Sequence, residues 1–350
     1  MTHRAGATSR VWLLLAACIP VLTACHQADE VVVYTSVDDV FARPIAERFE
    51  RETGVIVRLV PDTEETKSTG LVNRLIAEKA RPQADVFWSG DPVRAVILKT
   101  KGISAVYRSP AAAGLRAEFS DPDGHWTGFS ARARVLVYNT TLVAAEQTPT
   151  SLLQLTETRF CGRACLANPL FGTTSMHAAA LFAALGDEAA RAFFEAFARN
   201  GGRVVSSNGE VRRRVASGDC SVGVTDTDDA TVARREGKPL GMVYPDATGM
   251  GTLIVPNCAV LIAGAPHPAA ARRFIDYLLR PETEQRLAES DAAQMPLRPG
   301  VPIPADVVPI ERLTPLSVDY GTLGAKLEEL SQGYLKTWVE RMVAGGPPAT

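Results

Sequence analysis

Hydrophobic positions in this chain switch repeatedly between the period of a strand and the period of a helix. Glu30-Val31-Val32-Val33-Tyr34-Thr35-Ser36 is a β-branched and aromatic run ended by small polar residues, which predicts a short, fully buried strand. Residues 44–52 then place apolar side chains one helical turn apart, and Thr53-Gly54 ends the predicted helix. Residues 55–60 are again a strand. Strand, helix, strand within about thirty residues is a βαβ unit, which calls for a parallel sheet with helices on its faces.

The alternation continues to the C-terminus. Helices are predicted over 70–80, from 92 to 101, over 175–185, 188–200, 209–217 and 269–279, and as one segment over 320–343. Strands are predicted over 84–88, 134–139, 203–205 and 221–224, with extended chain over 250–263 and a proline-rich strap over 296–309. The long apolar strand from Arg134 is placed to carry the chain from one lobe into another. No repeat at solenoid spacing interrupts the pattern.

Ahead of the first strand, residues 11–25 form an apolar stretch behind His3, Arg4 and Arg10 that closes on Leu22-Thr23-Ala24-Cys25. It resembles a bacterial lipoprotein export signal. A membrane span needs about 20 apolar residues, and here polar His26-Gln27-Ala28-Asp29-Glu30 follows at once. Lipidation at Cys25 would add two acyl chains, which is what stable anchoring takes. A plain transmembrane anchor and a structural thiol are the alternatives. The organisation predicted is residues 1–24 as signal, 25–130 as the first part of lobe 1, 131–255 as lobe 2, and 256–350 as the return to lobe 1 with C-terminal helices.

Composition narrows the picture further. The chain has 350 residues, 46% hydrophobic and 22% charged, with a formal net charge of −2. About 325 residues remain after the signal, enough for two lobes with separate cores. A nucleic-acid partner is not expected, because the basic footprint is missing. Arg212-Arg213-Arg214 reads as a solvated helix face. Of the six cysteines, Cys161, Cys165, Cys220 and Cys258 remain after the signal and Cys25, an even number suited to an oxidising compartment. Structural bridges and buried thiols both fit, and no Cys-x2-Cys spacing supports zinc.

Candidate chemistry lies at the strand ends. Ligands of open α/β sheets sit beyond the carboxyl ends of the strands, where helix N-termini offer free N–H groups. That rule selects Ser36, Asp38, Ser68, Thr69 and Ser89 in the first lobe, and Thr173, Thr174, Ser175, Asn208, Thr225, Asp226 and Asp228 in the second. Any one of these could be an ordinary N-cap. Val222-Gly223-Val224-Thr225-Asp226-Thr227-Asp228-Asp229 is the sharpest of them, since crowded carboxylates need a cation, an amine or an arginine nearby. Asp226 and Asp228 are therefore candidate ligands for a hard cation such as Ca²⁺, Mg²⁺ or Fe³⁺. Arg132 and Arg134 alternate onto one face of the crossing strand, placed to neutralise those acids or to clamp an anion.

Taken together, Val33-Tyr34-Thr35-Ser36, Phe49-Glu50-Arg51-Glu52-Thr53-Gly54-Val55, Ala84-Asp85-Val86-Phe87-Trp88-Ser89-Gly90-Asp91, the segment from Ala131 to Asn139, and Phe171-Gly172-Thr173-Thr174-Ser175 resemble the extracellular solute-binding proteins of ABC importers. The resemblance is strongest to their ferric-iron-binding branch. It implies an α/β, two-lobed periplasmic-binding-protein fold, type II-like, with a mostly parallel sheet flanked by helices in each lobe and crossing strands at a hinge. It also implies a monomer at the periplasmic face of the cell envelope that delivers its solute to an inner-membrane permease.

In that branch paired tyrosines of the second lobe hold the metal, helped by first-lobe ligands and a small anion. Here Thr227 and Asp228 stand where the tyrosines would be, and Asp38 stands near the first-lobe histidine position. Thr173, Thr174, Ser175 and Asn208 match the anion half. The expected cargo is ferric iron or a ferric complex, with no obligatory cofactor. A small amine-bearing or anionic metabolite, such as a phosphonate, is the alternative. A metal-dependent hydrolase is the rival of another class, but the chain holds no Gly-x-Ser-x-Gly, His-Glu-x-x-His or P-loop motif.

Overall fold

The computed structural model describes residues 1–3, 29–62 and 68–345. The predicted signal and the predicted lipidation site Cys25 lie outside the described residues. Among the described residues no helix is long and apolar enough to cross a membrane.

In chain order the first part runs β1 (Glu30–Thr35), α1 (Asp39–Thr53), β2 (Ile56–Pro61), α2 (Thr69–Ala77), β3 (Val86–Ser89), α3 (Pro92–Thr100), β4 (Ser104–Ala105) and β5 (Thr127–Asn139). The second part runs β6 (Ala164–Ala167), α4 (Gly172–Leu185), α5 (Asp187–Arg199), β7 (Arg203–Val205), α6 (Asn208–Ser217), β8 (Val222–Asp226), α7 (Thr227–Arg235) and β9 (Leu240–Val243). The chain ends with β10 (Ile254–Ile262), α8 (Pro268–Leu278), α9 (Pro281–Glu289), α10 (Tyr320–Gln332) and α11 (Tyr334–Ala344).

The opening βαβ unit forms as its hydrophobic pattern requires. β1 pairs in parallel with β2 from Glu30↔Ile56 to Thr35↔Pro61, and with β3 on its other edge. Gly54 ends α1 at φ 73, a left-handed conformation that a residue with a Cβ adopts only at a cost. The helix starts at Asp39, ahead of the predicted Pro44, so the proline sits inside it. So near the N-terminus, its missing N–H removes a single early helical bond.

β5 carries the chain between lobes, and it is longer than predicted. Its first half pairs antiparallel with β10, from Ala259↔Thr127 to Ile254↔Ala133, and its second half pairs antiparallel with β8, from Arg134↔Asp226 to Tyr138↔Val222. The order β2-β1-β3-β10-β5-β8-β6-β7 therefore has a parallel group at each end and antiparallel crossing strands in the middle. Gly128-Phe129-Ser130-Ala131-Arg132 reads as mixed in sequence, yet all of it is buried. Burial on both faces removes the alternation by which a strand is recognised.

Each lobe has its own aromatic core. Phe49 meets Phe274 edge-on at 5.1 Å and Trp88 lies 5.9 Å from Phe129, so α1, α8 and β5 close the first lobe. In the second, Phe194 of α5 meets Trp338 of α11 at 5.1 Å, and Trp338 Nε1 donates to the Phe194 carbonyl. A Cys165–Cys220 disulfide ties β6 to the residue pair before β8, while Cys161 and Cys258 are free thiols. The single C-terminal helix predicted over 320–343 is two helices, because Gly333 takes φ −116 and ψ −111 between them. α10 packs on both α3 and α4 and so touches both lobes.

Candidate functional site

The register of β5 against β8 sets Arg134 opposite Asp226. Alternation turns Arg132, two residues earlier, to the same face. Arg134 is 0% exposed and spends its donors on one cluster: Nη1 donates to Asp226 Oδ1 at 2.7 Å, to Thr173 Oγ1 at 3.0 Å and to Asn208 Oδ1 at 3.1 Å, and Nη2 to Thr174 Oγ1 at 3.1 Å. Its Nε faces His177 Nδ1 at 3.4 Å. Burial, with the Arg134 charge beside it, pushes the His177 imidazole down to about 3.

Both Asp226 oxygens are engaged from within the protein. Oδ2 accepts from Thr173 Oγ1 at 2.7 Å and from Asn208 Nδ2 at 3.3 Å. Burial alone would raise the Asp226 carboxyl, but Arg134 and Arg132 hold it below the usual range. Asp228 is placed differently. Burial pushes it up to about 6, against the pull of Arg132 and with Asp226 and Asp38 repelling its charge. Arg132 Nη1 lies 3.6 Å from Asp228 and 3.7 Å from Asp226, while its Nη2 donates to the Gly90 carbonyl of the first lobe. One guanidinium thus touches both lobes.

Arg132, Thr173, Thr174, Asn208, Asp226 and Asp228 line a cavity of about 860 Å³ between the lobes, whereas Arg134 and His177 do not reach it. Of the residues the sequence selected, Ser36, Asp38, Ser68, Arg132, Thr173, Thr174, Asn208, Asp226 and Asp228 line it. Thr69, Ser89, Ser175 and Thr225 do not. Ser89 Oγ donates to the Asp91 carbonyl at 2.7 Å, Ser175 Oγ donates to the Gly172 carbonyl at 2.7 Å, and Thr225 Oγ1 lies 2.9 Å from Asp229 Oδ2. Thr69 Oγ1 is buried without a hydrogen-bond partner among the described residues. The first three hydroxyls thus serve turns and helix starts, the commoner use of such residues.

Other lining residues escaped the sequence reading. Asn168 and Phe171 reach the cavity, with Val40, Phe41 and Val232 as apolar wall and Glu289, Ser290 and Asp291 also lining it, whereas Gly90 and Ser207, which line it too, belong to the strand-end groups of Ser89 and Asn208 that the sequence picks out. Arg212 and Arg213 also line it, although the arginine run reads as a solvated face. The signal was present: α6 begins at Asn208, so Arg212 falls one turn on and on the same face. The acid run opens a helix that the hydrophobic pattern does not predict: Thr227–Arg235 is α7, with Asp226 at its N-cap position. Among the described residues that line the cavity, none is a tyrosine.

Chemically the cavity has two poles. The N-termini of α4 and α6 meet at Thr173, Thr174 and Asn208, and Phe171 caps α4 without a side-chain bond, leaving N–H groups for an acceptor. At the other pole, one oxygen from each of Asp226, Asp228 and Asp229 falls within 4.8 Å of the others. The arrangement suits a solute carrying both an anionic and a cationic part.

The sequence profile of bacterial extracellular solute-binding proteins matches residues 44–309. The chain belongs to that family. Among curated relatives it is 26% identical to iron uptake protein A1 of Synechocystis over 81% of this chain and 80% of the relative. It is 23% identical to the Fe(3+)-binding periplasmic protein of Serratia marcescens over 85% and 87%. A putative 2-aminoethylphosphonate-binding periplasmic protein of Salmonella paratyphi A is 26% identical over 75% and 73%. Iron-bound HitA from Pseudomonas aeruginosa superposes with a TM-score of 0.78 at 22% identity, covering 87% of this chain and 98% of that one. AfuA from Actinobacillus pleuropneumoniae, with fructose-6-phosphate bound, gives 0.79 at 22% identity over 90% and 99%. At such identity the structures establish the fold, and it is the two-lobed one that the resemblance implied. The named relatives are solute-binding transport proteins rather than enzymes.

Proposed function

We propose that this protein captures ferric iron together with a small anion between its lobes and delivers it to an ABC permease of the inner membrane. The observation that carries the reading is the juxtaposition of three carboxylates within 4.8 Å of one another and a wall of helix N-termini in one cleft. Carboxylate oxygens are hard ligands suited to a hard cation, and the N-termini with Arg132 suit the anion that travels with it. Asp228 is the ligand of choice, because both Asp226 oxygens already accept from Arg134, Thr173 and Asn208. Asp38 approaches from the first lobe and would complete the site as the lobes close. The relatives named for iron support this cargo. A lipid on Cys25 would hold the protein at the envelope as a monomer.

One observation favours a second reading. Arg132 already stands 3.6 Å from Asp228, so that carboxylate has a counter-ion before any solute arrives. A zwitterion, with an ammonium group toward Asp38 and Asp228 and a phosphonate or carboxylate at the helix N-termini, requires less charge to move than a trivalent cation does. The deciding experiment is native mass spectrometry with metal analysis of protein purified without chelator, then loaded with ferric iron and citrate or phosphate. Near-stoichiometric iron supports the first reading. A metal-free protein that carries a small organic mass, and refuses iron, supports the second.

A further inference from the structure

Arg212 stands apart from the two arginines that follow it. Arg213 pairs with Glu210 at 2.6 Å, and Arg214 pairs with Glu210 at 2.7 Å and Asp219 at 2.8 Å. Arg212 is half-buried in the cavity wall and has no ion-pair partner among the described residues. α6 runs from Asn208 to Ser217, so Arg212 lies mid-helix, with the uncharged Asn208 and Gly209 one turn before it and Val215 and Ala216 one turn after. A half-buried guanidinium in the cavity wall, left without a carboxylate among the described residues, is explained by something that enters the cavity.

The same wall already has an anion pole. Thr173, Thr174 and Asn208 sit where α4 and α6 begin, and Arg132, 6% exposed, keeps an Nε without a hydrogen-bond partner among the described residues. Arg212 follows Asn208 by one turn on the same face of α6, so its charge is a second pole beside the first. A cavity of about 860 Å³ is far larger than a single orthophosphate or carbonate needs.

We infer that the anion taken by this cleft carries two separated anionic groups, as in a polycarboxylate or a phosphorylated carboxylic acid, and that Arg212 anchors the second of them. The inference deepens the proposed function, because it concerns the anion half of the same site. The planar guanidinium fork binds a carboxylate or phosphoryl group through two parallel hydrogen bonds, and this is how Arg212 selects for the second group. A monovalent-site anion such as orthophosphate engages the α4 and α6 N-termini alone and leaves Arg212 exposed to water.

The test is calorimetric titration of the full chain with citrate and, separately, with orthophosphate, in the wild type, Arg212→Gln, Arg212→Lys and Arg214→Gln. Arg212→Gln is expected to weaken citrate binding at least about tenfold while orthophosphate affinity and the thermal midpoint stay unchanged. Arg212→Lys, which keeps the charge and loses the fork, falls in between. Arg214→Gln, outside the cavity, binds citrate like the wild type. Citrate binding that is unchanged in Arg212→Gln, equally weakened in Arg214→Gln, or absent from the wild type overturns the inference. Iron loading reads separately: a wild type that refuses iron yet loses citrate affinity in Arg212→Gln removes ferric iron as cargo and leaves Arg212 in its role.

Discussion

Arg94 of α3 donates to the hydroxyl of Ser175 in α4 at 2.8 Å, a buried bond between the lobes directly behind Thr173 and Thr174. The nearest carboxylate, Asp91, approaches Arg94 only to 3.5 Å, so Ser175 takes a donor that the ion pair leaves over. α10 packs against both helices, and this keeps water from the contact. The N-terminus of α4, which lines the cleft, is therefore tied mechanically to the first lobe.

Ser175→Ala should cost about 1–3 kcal/mol, because it leaves a buried charged donor without its acceptor. Urea unfolding measures it. A lower midpoint with an unchanged slope is the expected result, and a loss under about 0.5 kcal/mol would show that the bond is not held in solution.

Arg134→Met should be the most destabilising single change in the site, about 3–5 kcal/mol, since it strands the buried Asp226 carboxylate. Adding Asp226→Asn should restore part of that loss. A double-mutant cycle by chemical denaturation tests the coupling, and simple additivity of the two changes would contradict the pairing.

Asp228→Ala should weaken solute binding at least about tenfold while leaving the fold intact. Its carboxylate faces the cavity with Arg132 at 3.6 Å and the Asp229 backbone N–H on Oδ1 at 2.9 Å, whereas Asp226 is consumed by the framework. Equal affinity in variant and wild type, by calorimetry with the natural solute, would remove the acidic pole from the site.

Stability should fall in acid partly through His177. Its folded pKa is about 3, below the ordinary 6.5, so between these values the unfolded chain binds a proton that the folded chain refuses. Stability thus rises with pH across that window, by up to about 1.4 kcal/mol per unit, and this contribution is level above it. His177→Gln should flatten the slope of unfolding free energy between pH 4 and 6 relative to the wild type. An identical slope would assign the acid sensitivity to carboxylates instead.

Cys165→Ser should destabilise the second lobe. The bridge closes a loop of 55 residues, for which chain entropy gives about 4 kcal/mol. Thermal unfolding of the variant and of the reduced wild type should agree. A variant as stable as the oxidised protein would mean that the bridge contributes nothing to stability.

Much of this architecture was legible along the chain. The opening βαβ unit, α5, α6, β7 and α8 follow from local hydrophobic periods, while α4, buried on every face from Thr173 to Phe182, is legible through its run of strong helix formers, alanine and leucine. What was missed has physical reasons. The front half of β5 lost its alternation because both of its faces are covered. α7 was hidden because its first turn is acidic, Asp228 and Asp229, and acids at a helix N-terminus look the same in sequence as acids in a loop. The C-terminal period ran through Gly333 without showing the break.

The site divides in the same way. Strand-end logic identified Ser36, Asp38, Thr173, Thr174, Asn208, Asp226 and Asp228, since the carboxyl ends of strands in an open sheet face the crevice whatever the packing. By itself the sequence determined the alternating elements, the two arginines on one face of the crossing strand, and the acid run after β8. Only the tertiary structure decided that Arg134 satisfies Asp226 while Asp228 faces the cavity, that Ser89, Ser175 and Thr225 spend their hydroxyls on the framework, and that Arg212 turns inward. Those outcomes depend on which donor lies within about 3 Å of which acceptor across strands far apart in the chain, and periodicity along one segment carries no information about that distance.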